Sequence, residues 1–333
     1  MFTALKRLFL LTVAATLIIT ASACAEDERI QLAEGPWQSH MFHNQIAAFI
    51  LEEGYGEEVE INAGLPTPTV VEGLRDGDLH VNLEMWKDNV ADYQDDLDAG
   101  YYEEVATNFD DNAQGLWIPE YIQEENPGLQ SIHDLPDYAH LFEDYRVPDW
   151  DPEEDEGLIH LATADYFATQ FYQDKFELDE YSDVAEAFDY QIVENDAALN
   201  ESLESAVEDE EAWVGYHWEP TWPLAAFDMV LLKDDQHEYD ADTGHGQLPE
   251  QPVVVCVTEG FGDDYPELYD FFSNYETSAD LTMEGLEYME EEDADADEAA
   301  INWLDNNRDL WTDWIDDDDV VTNVEAALDA ALE

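Results

Sequence analysis

Three tryptophans stand where a chain can build a binding surface. Trp86 closes the strand-like run His80-Val81-Asn82-Leu83-Glu84-Met85-Trp86, and Trp37 and Trp218 occupy similar strand-to-helix turns. A tryptophan at the C-terminal mouth of a strand points into the crevice where open α/β sheets bind ligands. Several such rings make a box for a cation that cannot donate hydrogen bonds. A quaternary ammonium spreads its charge over methyl groups, so a site selects it with π faces, each contributing roughly 0.5 to 2 kcal/mol once desolvated. The competing reading of each ring is packing at an interface. Glu84 is two residues from Trp86 and so shares its strand face, as a group behind the ring. His217 reads either as a core histidine in a strand or as a hydrogen-bond partner for a ligand carboxylate.

Other chemistry finds little support. None of the four lysines, Lys6, Lys87, Lys175 and Lys233, follows a glycine, so there is no phosphate loop. His-Glu-x-x-His, Cys-x-x-Cys and Gly-x-Ser-x-Gly are absent from the sequence. His40 and His43 could share a helix face but lack a third metal ligand. Paired carboxylates for glycoside hydrolysis can always be chosen among 85 acidic residues, which makes any one pair uninformative. The expectation is a binding protein with no catalytic residue, no metal and no cofactor.

The 333 residues carry nine Lys plus Arg against 85 Asp plus Glu, a net charge of −76. Such a surface repels phosphate backbones and argues against nucleic acid as a partner. A hydrophobic content of 45% with 12% aromatic residues is too rich for a disordered acidic chain. The remaining reading is a folded protein adapted to high salt, its surface hydrated by dense carboxylates. In molar salt the Debye length is about 3 Å, so this charge cannot steer a ligand from afar and the function belongs to a local site.

The elements needed to position the rings follow from the pattern. Residues 1–23 read as a signal peptide, with Lys6 and Arg7 before an apolar stretch too short to span a membrane. Cleavage after Ala23 or Ala25 and lipidation of Cys24 are both open, lipidation being slightly favoured. Cys256, inside Val253-Val254-Val255-Cys256-Val257, reads as a buried inert thiol in a strand. Short apolar runs alternate with helical stretches, the mark of an α/β fold. Strands are expected at 29–33, 58–63, 80–86, 114–118, 212–216 and 252–258. Helices are expected at 40–53, shortly after Pro68, at 165–176 and 195–208, and through the region after Tyr265. Trp303, Trp311 and Trp314, at offsets of 8 and 11, are expected on one helix face as core.

At this point the residues carry a resemblance. Gly35-Pro36-Trp37, Glu84-x-Trp86, Gly115-Leu116-Trp117-Ile118-Pro119-Glu120-Tyr121, Tyr216-His217-Trp218-Glu219-Pro220 and Trp311-Thr312-Asp313-Trp314 occur in an order similar to that of the glycine betaine-binding proteins of ABC importers. The resemblance implies an α/β, two-lobed periplasmic-binding-protein fold of type II with the ligand cleft between lobes. Lobe I would comprise 28–112 plus 252–333, and lobe II 113–251. Trp86 and Trp218 match cage tryptophans from opposite lobes, and Trp37 a cage position of choline-binding relatives. Tyr166 stands where one branch has a tryptophan before the helix that caps the ligand carboxylate, here beginning near Asp165. Ser39 replaces the aspartate of the choline-binding branch, which points to a zwitterion rather than a simple cation. The implied function is capture of glycine betaine, or a related quaternary ammonium osmolyte, by an exported protein that is periplasmic or anchored to the outer face of the membrane. Delivery to an ABC permease follows. Choline or carnitine binding on the same fold is the near alternative, and an extracellular carbohydrate-active hydrolase the remote one.

The charge reading has a direct check. Unscreened carboxylates repel one another, so the thermal midpoint followed by circular dichroism should rise steadily from low to molar salt. Equal stability at both ends would show that the acidic surface is no adaptation to salt.

Overall fold

The computed structural model describes residues 29–164 and 166–332. The expected signal peptide, Cys24 and Asp165 lie outside the described residues.

Two five-stranded sheets organise the chain. The first contains β1 (Ile30–Ala33), β2 (Val59–Asn62), β3 (Val81–Trp86), β4 (Tyr102–Phe109) and β10 (Val253–Thr258), in the order β2-β1-β3-β10-β4. The second contains β5 (Gln114–Pro119), β6 (Gly157–Leu161), β7 (Phe188–Ile192), β8 (Gly215–Trp218) and β9 (Met229–Leu231), in the order β7-β6-β8-β5-β9. In each sheet one strand runs antiparallel to both neighbours: β10 against β3 and β4, and β5 against β8 and β9. These are the strands reached directly from the other sheet, through the segments 110–113 and 232–252.

The two crossing segments are tied together. The Asn112 side chain donates to the Gln251 carbonyl at 2.7 Å and accepts from the Gln251 N–H at 2.9 Å, with both residues almost fully buried. Gln114 adds a bond to the Pro249 carbonyl at 3.0 Å, and Gln247 one to the Gln114 carbonyl at 3.0 Å. A side chain that mimics a strand partner in this way satisfies backbone groups that have left their own sheets.

Central strands bury both faces, and their sequences show it. Every residue of β10 is buried; Val255 and Val257 face one apolar cluster, Val254 and Cys256 the other. The Cys256 thiol is free and burial pushes its pKa up to about 12, in keeping with an inert residue. The larger cluster of the first lobe packs Phe42, Ile46 and Ile50 of the first helical region against Phe271, Phe272 and the three C-terminal tryptophans. Trp303, Trp311 and Trp314 are buried there, but on three successive short elements rather than one helix face. Helix Ala296–Asn306 ends at Asn307, whose side chain bonds back to the Trp303 carbonyl at 2.9 Å.

The second lobe encloses an ion pair. Lys175 is fully buried against Asp234; its ammonium donates to the Gly246 carbonyl at 2.8 Å and lies 4.8, 5.7 and 4.6 Å from the ring centres of Phe171, Tyr172 and Tyr181. Burial lowers the Lys175 pKa and Asp234 opposes that shift. The contact fastens the stretch leading back to β10.

Strand β8 begins and ends later than the expected 212–216, so Trp218 is its last residue. Strands β4, β6, β7 and β9 have no counterpart among the expected runs. β4 pairs only with β10 and exposes Glu103 and Glu104, so its sequence lacks a continuous apolar run.

Replacing Asn112 with alanine leaves the Gln251 N–H and C=O buried and unbonded. We expect a loss of about 1 to 3 kcal/mol in urea denaturation. A change within error would show that the crossing is held by packing alone.

Candidate functional site

The rings sit where the two sheets exchange strands. Gln114, the first residue of β5, pairs with Trp218, and Val253, the first residue of β10, pairs with Trp86. Trp37 is the N-cap of helix Gln38–Phe49. Its ring folds back over Gly35, where a Cβ would stand 2.4 Å from the indole; only glycine leaves the ring this place. The Gly35 N–H donates to His40 Nδ1 at 2.9 Å, and the Trp37 and His40 rings are 5.3 Å apart. Burial holds the His40 pKa down to about 3, so it is a neutral acceptor that shapes this turn.

A cavity of about 320 Å³ lies between Trp37 and Ser39 of the first lobe and Trp218, Thr221 and Trp222 of the second. That is the low end of the range for small-molecule sites. Another wall is helix Asp196–Glu208, which contributes Asp196, Asn200, Glu201 and Glu204, and Leu286 of helix Ala279–Glu291 adds an apolar contact. Three aromatic faces and several carboxylates meet there, with no lysine, arginine or histidine in the lining. Such a surface attracts a compact cation and offers hydroxyl and amide groups for a polar end.

Trp86, Glu84, Tyr166 and His217 stand around this cavity without lining it. Trp86 is partly exposed, meets Phe109 edge to face with ring centres 6.0 Å apart, and packs against the second-lobe core. The Glu84 carboxyl is buried beneath: Oε1 accepts from Ser39 Oγ at 2.9 Å and from the Trp86 indole N–H at 3.2 Å. The Trp37 indole also helps to hold its acidity, yet Trp37 Nε1 and Glu84 Oε2 each lack a partner at hydrogen-bond geometry. Burial pushes the Glu84 pKa up to about 8, against the bonds from Ser39 and Trp86 and the nearby Trp37 indole. The titratable neighbours are Tyr275, whose phenol is raised by burial and by Glu84, and His43, bonded to Tyr275 Oη at 2.9 Å and kept neutral by burial.

In the second lobe Trp218 stacks on Tyr216 and on His217, with ring centres 5.8 and 5.3 Å away, and meets Tyr166 edge-on at 5.5 Å. Tyr166 Oη donates to Asp196 at 2.6 Å. Both nitrogens of His217 are engaged, Nδ1 with Thr221 Oγ1 at 3.0 Å and Nε2 with Asn200 Oδ1 at 3.1 Å. Burial lowers its pKa to about 3, so it braces two lining side chains as a neutral ring. The helix expected to face the ligand, observed as Phe167–Phe176, supplies none of the lining; helix Asp196–Glu208 does. Among the described residues no group of three or more His, Cys, Asp or Glu could hold a metal ion.

Trp222 escapes the sequence reading, although Trp218-Glu219-Pro220-Thr221-Trp222-Pro223 places a second indole one tight turn beyond the first. It faces the cavity and also packs into the first-lobe core. Nothing in the sequence marks Asn200 apart from its helix neighbours.

Residues 28–306 match the family described as the substrate binding domain of the ABC-type glycine betaine transport system. The chain belongs to this family. It is 30% identical over 122 residues to the glycine betaine/carnitine transport binding protein GbuC of Listeria monocytogenes, a match spanning 36% of this chain and 37% of that protein. Among solved structures it is similar to a choline binding protein of an ABC transporter in complex with choline (TM-score 0.67, 18% identity, 90% of this chain and 98% of that one). It is also similar to the glycine betaine/L-proline-binding protein ProX of Borrelia burgdorferi (TM-score 0.66, 16% identity, 89% and 99%). Lactococcal OpuAC, in a closed conformation with glycine betaine, gives a TM-score of 0.65 at 15% identity, covering 87% and 100%. These likenesses show a shared two-lobed type II periplasmic-binding fold. The family is one of extracytoplasmic substrate-binding domains of a transport system, not of enzymes.

Glu84 gives the site a pH signature. Its pKa is raised on folding from an ordinary 4.5 to about 8, so the native state binds a proton that the unfolded state releases across that window. The stabilisation from the neutral carboxyl is complete below pH 4.5 and is lost as the pH rises through 8. Glu84→Gln removes this dependence. Denaturation of both proteins from pH 5 to 9 should show the variant gaining on the wild type by about 1.4 kcal/mol per pH unit below pH 8 at most, and parallel profiles would contradict a buried neutral carboxyl.

Proposed function

We propose that this chain captures glycine betaine, or a close quaternary ammonium relative, between its lobes and delivers it to an ABC permease. The lobes are assigned as 28–112 plus 252–333 and 113–251, an assignment supported by the strand membership of the two sheets. The observation that carries the reading is a small cavity with tryptophans from both sides, Trp37 and Trp218, and no basic lining residue. Trp222 is the third aromatic wall, and Trp86 stands at the cleft, fixed from below by Glu84. The trimethylammonium end belongs among these rings. The Asn200 side-chain amide and the first turn of helix Asp196–Glu208 supply donors for a carboxylate, the single Thr221 hydroxyl proton being already engaged by the Trp218 carbonyl and His217. Among the described residues no helix is long and apolar enough to cross a membrane. Residence in a periplasm or at an anchor through Cys24 is part of the proposal.

One observation favours a second reading. Asp196, Glu201 and Glu204 in the lining would repel a ligand carboxylate and attract a simple cation, which fits choline. Tryptophan fluorescence titrations in high salt separate the two. Glycine betaine is expected at micromolar Kd, near −8 kcal/mol, and choline at least tenfold weaker. Trp218→Ala should weaken binding at least tenfold, with Trp218→Phe losing less. Equal or tighter choline binding would transfer the assignment to the second reading, and failure of both ligands to bind would refute the quaternary ammonium site.

A further inference from the structure

We propose that Glu84 is the positioning residue that presents both first-lobe tryptophans, Trp37 and Trp86, to the ligand, so that the two rings act as one unit. This deepens the quaternary ammonium reading and rests on it for its binding arm. Glu84 does not line the cavity, and Ser39 and Trp37 do. One buried oxygen accepts from both the Ser39 hydroxyl, on the turn that carries Trp37, and the Trp86 indole. The Glu84 backbone N–H is fixed in turn by Asn82 Oδ1 at 2.8 Å. That bond fixes the backbone from which the carboxyl projects.

The other half of the group is unfinished. Glu84 Oε2 and the indole N–H of Trp37 are both shut away from solvent, and neither has a hydrogen-bond partner. Trp37 lies near enough to affect the carboxyl. The Trp37 ring lies directly over Gly35, where any Cβ would displace it, so its approach to the carboxyl depends on that glycine. An indole held through its N–H has one face orientation, and a cation contact depends on the face rather than on contact alone. A side chain behind the site thus sets one wall, Trp37, together with the neighbouring ring Trp86.

The test compares Glu84→Gln with Glu84→Leu. Glutamine keeps the one acceptor that serves Ser39 and Trp86 but places a donor NH2 toward the Trp37 indole, whereas leucine keeps the volume and removes both acceptors. Affinities for glycine betaine and choline are read by tryptophan fluorescence, and the near-ultraviolet circular dichroism of the ligand-free proteins reports the indole environments. Glu84→Leu should weaken the ligand that the wild type binds by at least tenfold and change the ligand-free aromatic spectrum, with the far-ultraviolet spectrum retained. Glu84→Gln should lose clearly less than Glu84→Leu, because it keeps the Ser39 and Trp86 bonds while giving up the acceptor offered to Trp37. Trp37→Phe, Trp86→Phe and their double variant keep a ring and lose the N–H; the double should lose clearly less than the product of the singles. Wild-type affinity and spectrum in Glu84→Leu, or a strictly multiplicative double variant, would overturn the proposal. If the wild type binds neither ligand, the binding reading fails, while the ligand-free spectra still decide whether Glu84 sets the rings.

Discussion

The strand that arrives from the opposite lobe fixes each lobe's principal tryptophan. β5 begins opposite Trp218 and β10 begins opposite Trp86, and a buried Asn112–Gln251 pairing holds the two crossings side by side. The crossing between the sheets and the candidate site therefore share residues. The two sheets could vary a good deal elsewhere and still preserve this relation, because it depends on register at two strand starts and one amide side chain.

Polar groups behind the rings do as much as the rings themselves. His40 shapes the turn of Trp37, Glu84 holds Trp86, and His217 braces Thr221 and Asn200. Burial keeps all three uncharged near neutral pH, for opposite reasons: the histidines lose their proton and the glutamate keeps its own. In a chain with 85 acidic residues, a neutral layer behind the site leaves the carboxylates of its lining as the charges nearest the ligand.

Much of the framework is legible in the sequence because burial leaves a pattern. β10 reads as a strand since both its faces are apolar, and Trp37 reads as a turn residue since Gly35-Pro36 precedes it. β4 is hidden by its edge position, where Glu103 and Glu104 interrupt the apolar run. The C-terminal tryptophans are core as expected, yet a periodicity of 8 and 11 cannot reveal a helix break at Asn307. At the site, the strand-mouth position of Trp86 and Trp218 is legible, while the choice of lining helix is not. Asp196, Asn200 and Glu204 look like any exposed helix turn until tertiary packing brings that turn against Trp218.

Lys175 has a further consequence. Its ammonium sits among Phe171, Tyr172 and Tyr181 with Asp234 as counter-ion, so the second lobe carries a tethered cation in an aromatic surround of its own. Added salt weakens exposed ion pairs such as Arg146 with Asp189 but reaches a desolvated pair poorly. The return path to β10 is thus pinned by an interaction nearly indifferent to ionic strength. The acidic exterior can respond to its medium while the geometry at the crossing keeps a fixed reference inside the lobe.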